Sequence, residues 1–174
     1  MRMRGRELLF ALAAVLWAGA AAAFDSSEWL TKRDILTGEA ARLRAAYSNC
    51  LARATSPADD LTIPVDTYED GSVKTIIVAR KAQYFHQEGL VWAKDVVVKK
   101  FDRDGAPKGR IDARSCVVDR KSKSGWAEGM ARITQGKTTF TGNGVYFSSP
   151  EGYVMVTEGA DIVSRDLKFG GALK

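Results

Sequence analysis

IVARKAQYFHQEGLVWAKDVVV (Ile77–Val98), IDARSCVVDRKSKSGWAEGMARI (Ile111–Ile133) and FTGNGVYFSSPEGYVMVTEGADIV (Phe140–Val163) are three versions of one pattern. Each opens with a large apolar residue, a spacer and a small residue: Ile77-Val78-Ala79, Ile111-Asp112-Ala113 and Phe140-Thr141-Gly142. A β-rich run follows, then a polar turn holding Gly89, Gly125 or Gly152. The return run carries a recurring step, Lys94-Asp95-Val96, Glu128-Gly129-Met130 and Glu158-Gly159-Ala160. The small residues at 79, 113 and 142 are 34 and 29 positions apart. Self-similarity at about 30 residues marks a stacked architecture, because one strand–turn–strand unit cannot bury its apolar face alone.

Outward from these repeats, strands are expected near 73–86, 90–101, 109–119, 126–135, 138–148 and 153–165. The turns between them contain Gly or Asp-Gly, as at Gln87-Glu88-Gly89, Asp102-Arg103-Asp104-Gly105 and Gly136-Lys137. Short Gly-bearing loops between β-rich runs are hairpin signals, so the sheet is expected to be mainly antiparallel. Pro57 to Gly71, acidic and holding two prolines, reads as a linker (57–72) with a short extended piece near Leu61–Val65. Residues 167–174 read as a flexible tail.

N-terminal to the linker, Leu36, Ala40, Leu43, Tyr47, Cys50, Leu51 and Ala54 recur at three- and four-residue intervals. This predicts an amphipathic helix of four to five turns within 24–56, capped at Thr37 and stopped by Pro57. Its apolar stripe is expected to pack on the sheet. Before it, Arg2, Arg4 and Arg6 precede an apolar run from Leu8 to Trp17 and a string of small residues up to Ala23. That is the layout of an export signal over 1–23, cleaved before Phe24. An uncleaved anchor over residues 8–24 is the other outcome, at the short end of a spanning helix. Both put the rest of the chain outside the inner membrane.

The 174 residues suit a single folded domain, and 45% apolar content excludes wholesale disorder. Cleavage would remove Arg2, Arg4, Arg6 and Glu7, lowering the formal charge from +5 to +3. So mild a charge is no nucleic-acid signature, though it suits an anionic amphiphile. Cys50 and Cys116 lack the spacing of a redox or zinc site, and whether they pair is open. His86 is the only histidine, which argues against a metal-binding jellyroll. No nucleophile elbow is present, and Gly142-Asn143-Gly144 is not followed by a helix as a phosphate loop would be. Neither a catalytic set nor a cofactor is therefore expected. Lys99, Lys100, Arg103, Lys108 and Arg110 gather around one loop, where they read as a solvated turn or as a contact for lipid phosphates.

The stretch Gly125–Phe147, GWAEGMARITQGKTTFTGNGVYF, resembles the OstA-like repeat of the LptA/LptC group of lipopolysaccharide transport proteins. The resemblance covers about Val73 to Asp166. It departs from the usual Ala-Asp start of a repeat, with Ala79-Arg80, Ala113-Arg114 and Gly142-Asn143 instead. It implies a mainly β, antiparallel jellyroll over 73–166 whose apolar groove shields acyl chains. The implied partners are lipopolysaccharide or a similar amphiphile, other β-jellyroll proteins joined by edge-strand addition, and an inner-membrane ABC transporter complex.

Strand alternation selects the groove candidates. They are Ile77, Ile111, Val117, Phe140 and Tyr146 on the opening strands, and Val96, Val98, Met130, Tyr153, Met155 and Ile162 on the returns. Trp92 and Trp126 are candidates for the rim, their indole N–H groups reaching water or a head group. A closed core made of the same residues, in a structural or adhesive envelope protein without cargo, is the competing expectation.

Overall fold

The structure, a computed structural model, describes the backbone of residues 26–164 and the side chains of 34–159. The expected export segment and tail lie outside the described residues, and among those described no helix is long and apolar enough to cross a membrane. One helix, α1 (Ser26–Arg53), precedes seven strands: β1 (Ala58–Thr67), β2 (Val73–Phe85), β3 (Leu90–Phe101), β4 (Pro107–Asp119), β5 (Ser124–Gln135), β6 (Thr138–Ser148) and β7 (Tyr153–Ser164). The strands form one antiparallel sheet in sequence order. Its antiparallel order is what the hairpin signals predict, and the sheet is unclosed and jellyroll-like, as the resemblance implies.

Two expectations need correction. The segment 57–72 is not a linker, because residues 58–67 form β1 and pair with β2 from Ala58↔Ala82 to Thr67↔Val73. Pro64 is tolerated there because an edge strand has one side without ladder bonds. The helix starts at Ser26 and runs 28 residues, about eight turns, so Thr37 lies inside it and is no cap. Of the anticipated stripe, Leu36, Ala40, Leu43, Tyr47 and Cys50 pack on the sheet and Ala54 does so partly, whereas Leu51 faces solvent at 48% exposure.

β2, β3, β4 and β6 change face part-way along. In a flat strand, side chains on one face are two residues apart. The interior residues instead run Ile77, Ala79, then Ala82 in β2; Val91, Ala93, then Val96 and Val98 in β3; and Ile111, then Cys116 and Val118 in β4. The skipped residue marks a bend that turns both halves of the strand inward. The recurring polar-polar step of the return strands lies at the same level, where Asp95 (φ 52°), Gly129 (φ 72°) and Gly159 (φ 48°) adopt left-handed backbone. Glycine takes that conformation without strain, and Asp is among the few other residues that tolerate it. The repeat in the sequence is thus a repeated bend.

Small residues line the bend on both sides. The cross-strand register runs Ala79, Val96, Ala113, Ala131, Gly142 on one side, and Ala82, Ala93, Cys116, Ala127, Val145 on the other. A Cβ on Gly142 would overlap Val156 Cγ1 and lie 2.8 Å from the Gly159 carbonyl oxygen. The two halves therefore close on each other only because the side chains at the crease are short.

Candidate functional site

The bent sheet has two apolar faces with different covers. The inner face holds an unbroken ladder across six strands: Ile63, Ile77, Val98, Ile111, Ile133 and Phe140, each the register partner of the next. The Ile162 backbone continues the register on β7, and its side chain lies outside the described residues. Among the anticipated groove residues, Ile77, Val96, Val98, Ile111 and Phe140 fall here, and their exposure is 0–7%. The interior is packed shut in the free chain.

The outer face lies under α1. Register carries Trp92 to Val117, then Trp126, Tyr146 and Met155, one residue from each strand. Val117, Tyr146, Tyr153 and Met155 thus pack against the helix and not in the folded interior. They were grouped with the interior because simple alternation ignores the bend. Trp92 and Trp126 are not at a rim. They are 6% and 2% exposed beneath the helix. Trp126 Nε1 donates to Glu128 Oε2 at 2.7 Å. The Trp92 indole N–H is buried without a hydrogen-bond partner. Met130, at the bulge between Ala127 and Asn143 pairings, is 61% exposed and lines neither face.

The helix is fastened by polar contacts along β4 and at the turns. Tyr47 Oη and Ser115 Oγ share a buried hydrogen bond of 2.7 Å. Arg42 donates to Asp119 Oδ2 at 2.9 Å, and Arg53 to Glu88 Oε1 at 2.6 Å. Arg44 lies over the Trp126 ring, 5.6 Å from its centroid.

A second polar cluster, missed by the sequence reading, closes the interior. Asp66, at the end of β1, is 4% exposed. Its Oδ1 accepts from Lys123 Nζ at 2.7 Å, and its Oδ2 from Ser149 Oγ at 2.9 Å. Lys74 Nζ stands 3.1 Å from Oδ2, and Ser149 Oγ shares a 2.8 Å hydrogen bond with Thr75 Oγ1. The Ser149 amide donates to the Lys123 carbonyl at 3.1 Å. Burial raises the Asp66 pKa, but the hydrogen bonds from Lys123, Ser149 and Lys74 outweigh it and hold the carboxyl below its ordinary value. Lys100, the register partner of Thr75, is pushed down to about 8 by burial and by the like charges of Lys74 and Lys108. Only a hint was legible in sequence: an acidic residue ending an apolar alternation, Leu61, Ile63, Val65.

Cys50 and Cys116 are free and buried, one in the cluster beneath the helix and the other inside the fold. Burial pushes the Cys116 thiol up to about 12, which makes it a packing group and no nucleophile. No group of three or more potential metal ligands occurs among the described residues.

A bent, open meander with an apolar lining and no convergent catalytic groups among the described residues belongs to the jellyroll-like β-proteins. Residues 60–161 match the family model described as "Lipopolysaccharide-assembly, LptC-related", and the match begins inside β1. It spans more than half of the chain, which therefore belongs to the LptC-related family and takes part in lipopolysaccharide transport. No curated protein matches the chain.

Proposed function

We propose that this protein is a periplasmic carrier that takes lipopolysaccharide acyl chains between the two halves of its bent sheet. It passes them toward the outer membrane along a bridge of like domains and has no catalytic step of its own. The observation that carries the reading is the ladder from Ile63 to Phe140, which offers one continuous apolar track across the strands. An acyl chain laid along it gains ~0.8 kcal/mol per CH₂ removed from water. Because the ladder is packed shut, loading requires the halves to part, which an unclosed sheet permits without breaking a strand ladder.

The bridge partner adds to an edge strand. In β1, Pro64 lacks an N–H and Asp60 sits at φ 52°, which blunts that edge. β7 runs 12 residues with no strand paired to its outer side among the described residues. It is the edge suited to main-chain pairing with another jellyroll. On this reading the N-terminal segment exports or anchors the chain, and an inner-membrane ABC transporter supplies the energy.

Photocrosslinking in cells tests the cargo. A light-activated residue at Ile77 or Phe140 is expected to capture lipopolysaccharide, while one at exposed Met130 or at helix-covered Tyr146 is not. The second reading, a structural envelope protein with a closed core, draws on the 0–7% exposure of the interior set. Equal or absent capture at all four positions, with the protein folded and exported, would favour it.

A further inference from the structure

The Asp66 cluster joins parts of the fold that an open sheet keeps apart. The β1–β2 and β3–β4 turns lie at one end of the strands, and the β4–β5 and β6–β7 turns at the other. Asp66 belongs to the first end, yet its carboxylate is held by Lys123 and Ser149 from the second. The interior cannot open along that side while these bonds stand.

The cluster is also unbalanced in charge. One carboxylate serves Lys74 and Lys123 directly, and Lys100 lies close enough to feel both Lys74 and Asp66. Lys108 adds to the positive field on Lys100. Two hydroxyls, Thr75 Oγ1 and Ser149 Oγ, complete the lining. Two ammonium groups and the Ser149 hydroxyl, itself bonded to Thr75, converge on one anion position, with the Lys100 ammonium in the same field, and this suits a group with more charge and more acceptor oxygens than a carboxylate. Phosphate is such a group.

We propose that Lys74, Lys100 and Lys123 form a phosphate-binding site whose anion position Asp66 fills until a phosphate on the lipid displaces it and releases the clasp. The inference rests on the cargo reading for the source of the phosphate, since the lysines themselves would take inorganic phosphate by the same chemistry. Displacement frees β1 from the β4–β5 and β6–β7 turns just as the head group arrives. The amphiphile that needs the interior is then the one that unlocks it.

The test uses the full chain in detergent with three probes: diphosphoryl lipid A, the same lipid with its phosphates removed, and inorganic phosphate. Dissociation constants are measured by fluorescence titration, and opening by hydrogen exchange at the Ser149 amide, which is bonded to Lys123 in the closed form. The phosphorylated lipid is expected to bind more tightly than its dephosphorylated form and to speed exchange at Ser149. Lys100→Gln and Lys123→Gln should each weaken it about tenfold, the scale of one charge-assisted hydrogen bond. Asp66→Asn should tighten it severalfold by removing the competing charge, an effect that a purely structural role for Asp66 would not produce. If both lipids bind equally and no variant changes the affinity, the phosphate site is overturned and the cargo reading stands. If inorganic phosphate binds with the same lysine dependence and neither lipid binds, the site stands and the cargo reading fails. Absence of binding by all three probes overturns both.

Discussion

Asp66 Oδ1 accepts a hydrogen bond from Lys123 Nζ at 2.7 Å, although the two residues are 57 positions apart and lie, one at the end of β1 and the other in the β4–β5 turn, at opposite ends of the strands. In a flat sheet a 12-residue strand would hold those ends on the order of 40 Å apart. The contact is therefore a direct measure of how far the sheet folds over.

Removing that contact should loosen the whole fold. Asp66→Ala leaves Lys74, Lys123 and two hydroxyls facing a buried void, and is expected to cost about 2–3 kcal/mol in urea unfolding, below the full buried-pair value because both lysines are partly solvated. The pH dependence follows from the sign of the shift. The folded pKa lies below the ordinary 3.8, so the stabilisation is complete above that value and is lost as pH falls through the folded pKa. Asp66→Asn should flatten that acid limb of the stability curve.

Lys100 acts in the opposite sense. Its ammonium, pushed down to about 8 from 10.5, is held at a cost in the folded state at neutral pH. Between pH 8 and 10.5 the unfolded chain binds that proton and the folded chain does not, so stability rises with pH over this window. Lys100→Met should raise the melting temperature by about 2 °C at pH 7, with the difference shrinking to nothing by pH 10.5. Scanning calorimetry at both pH values checks it.

Helix α1 is part of the fold and not an appendage. Leu43 is fully buried against the outer face. Leu43→Ala should cost about 2–5 kcal/mol, and helix and sheet should melt in one transition followed by far-UV and near-UV circular dichroism. Separate transitions would show that the helix folds independently of the sheet.

Gly144 sits at φ 65° in β6, and a Cβ there would come within 2.8 Å of the Trp126 ring. Gly144→Ala combines backbone strain with overpacking and should cost about 2–4 kcal/mol. Because Trp126 must shift beneath the helix, its fluorescence should change as well. A loss of stability with unchanged emission would place the effect in the backbone alone.

Both thiols should resist modification in the native state. Cys116 is fully buried, its thiol pushed up to about 12, and Cys50 is raised by burial too. A thiol reagent at pH 8 is expected to label neither until denaturant is added, and then two equivalents. Rapid labelling of native Cys50 would show that the helix opens on that timescale.

The strands were legible to within about two residues at their ends, since each is bounded by Gly or Asp at a turn that interrupts a β-branched run. β1 was not, because Pro64 and the acidic residues around it carry the composition of a loop. Pairing with β2 overrides that local preference. The interior set was half legible. Ile77, Val98, Ile111 and Phe140 were recognised together, whereas Tyr146 and Met155 were put on the wrong face and both tryptophans at a rim.

What the sequence by itself determined is therefore local and periodic: the repeat, the hairpins, the antiparallel order and the helix stripe. These follow from side-chain size, turn residues and spacing along a short stretch of chain. Only the tertiary structure decided which face each residue occupies beyond the bend, because one left-handed residue, as at Asp95 or Gly144, shifts the alternation for the rest of its strand. It also decided the Asp66 clasp, whose partners come from two separate turns and the start of β2. No periodicity within a strand could bring these together, since their meeting depends on the bends of several strands combined.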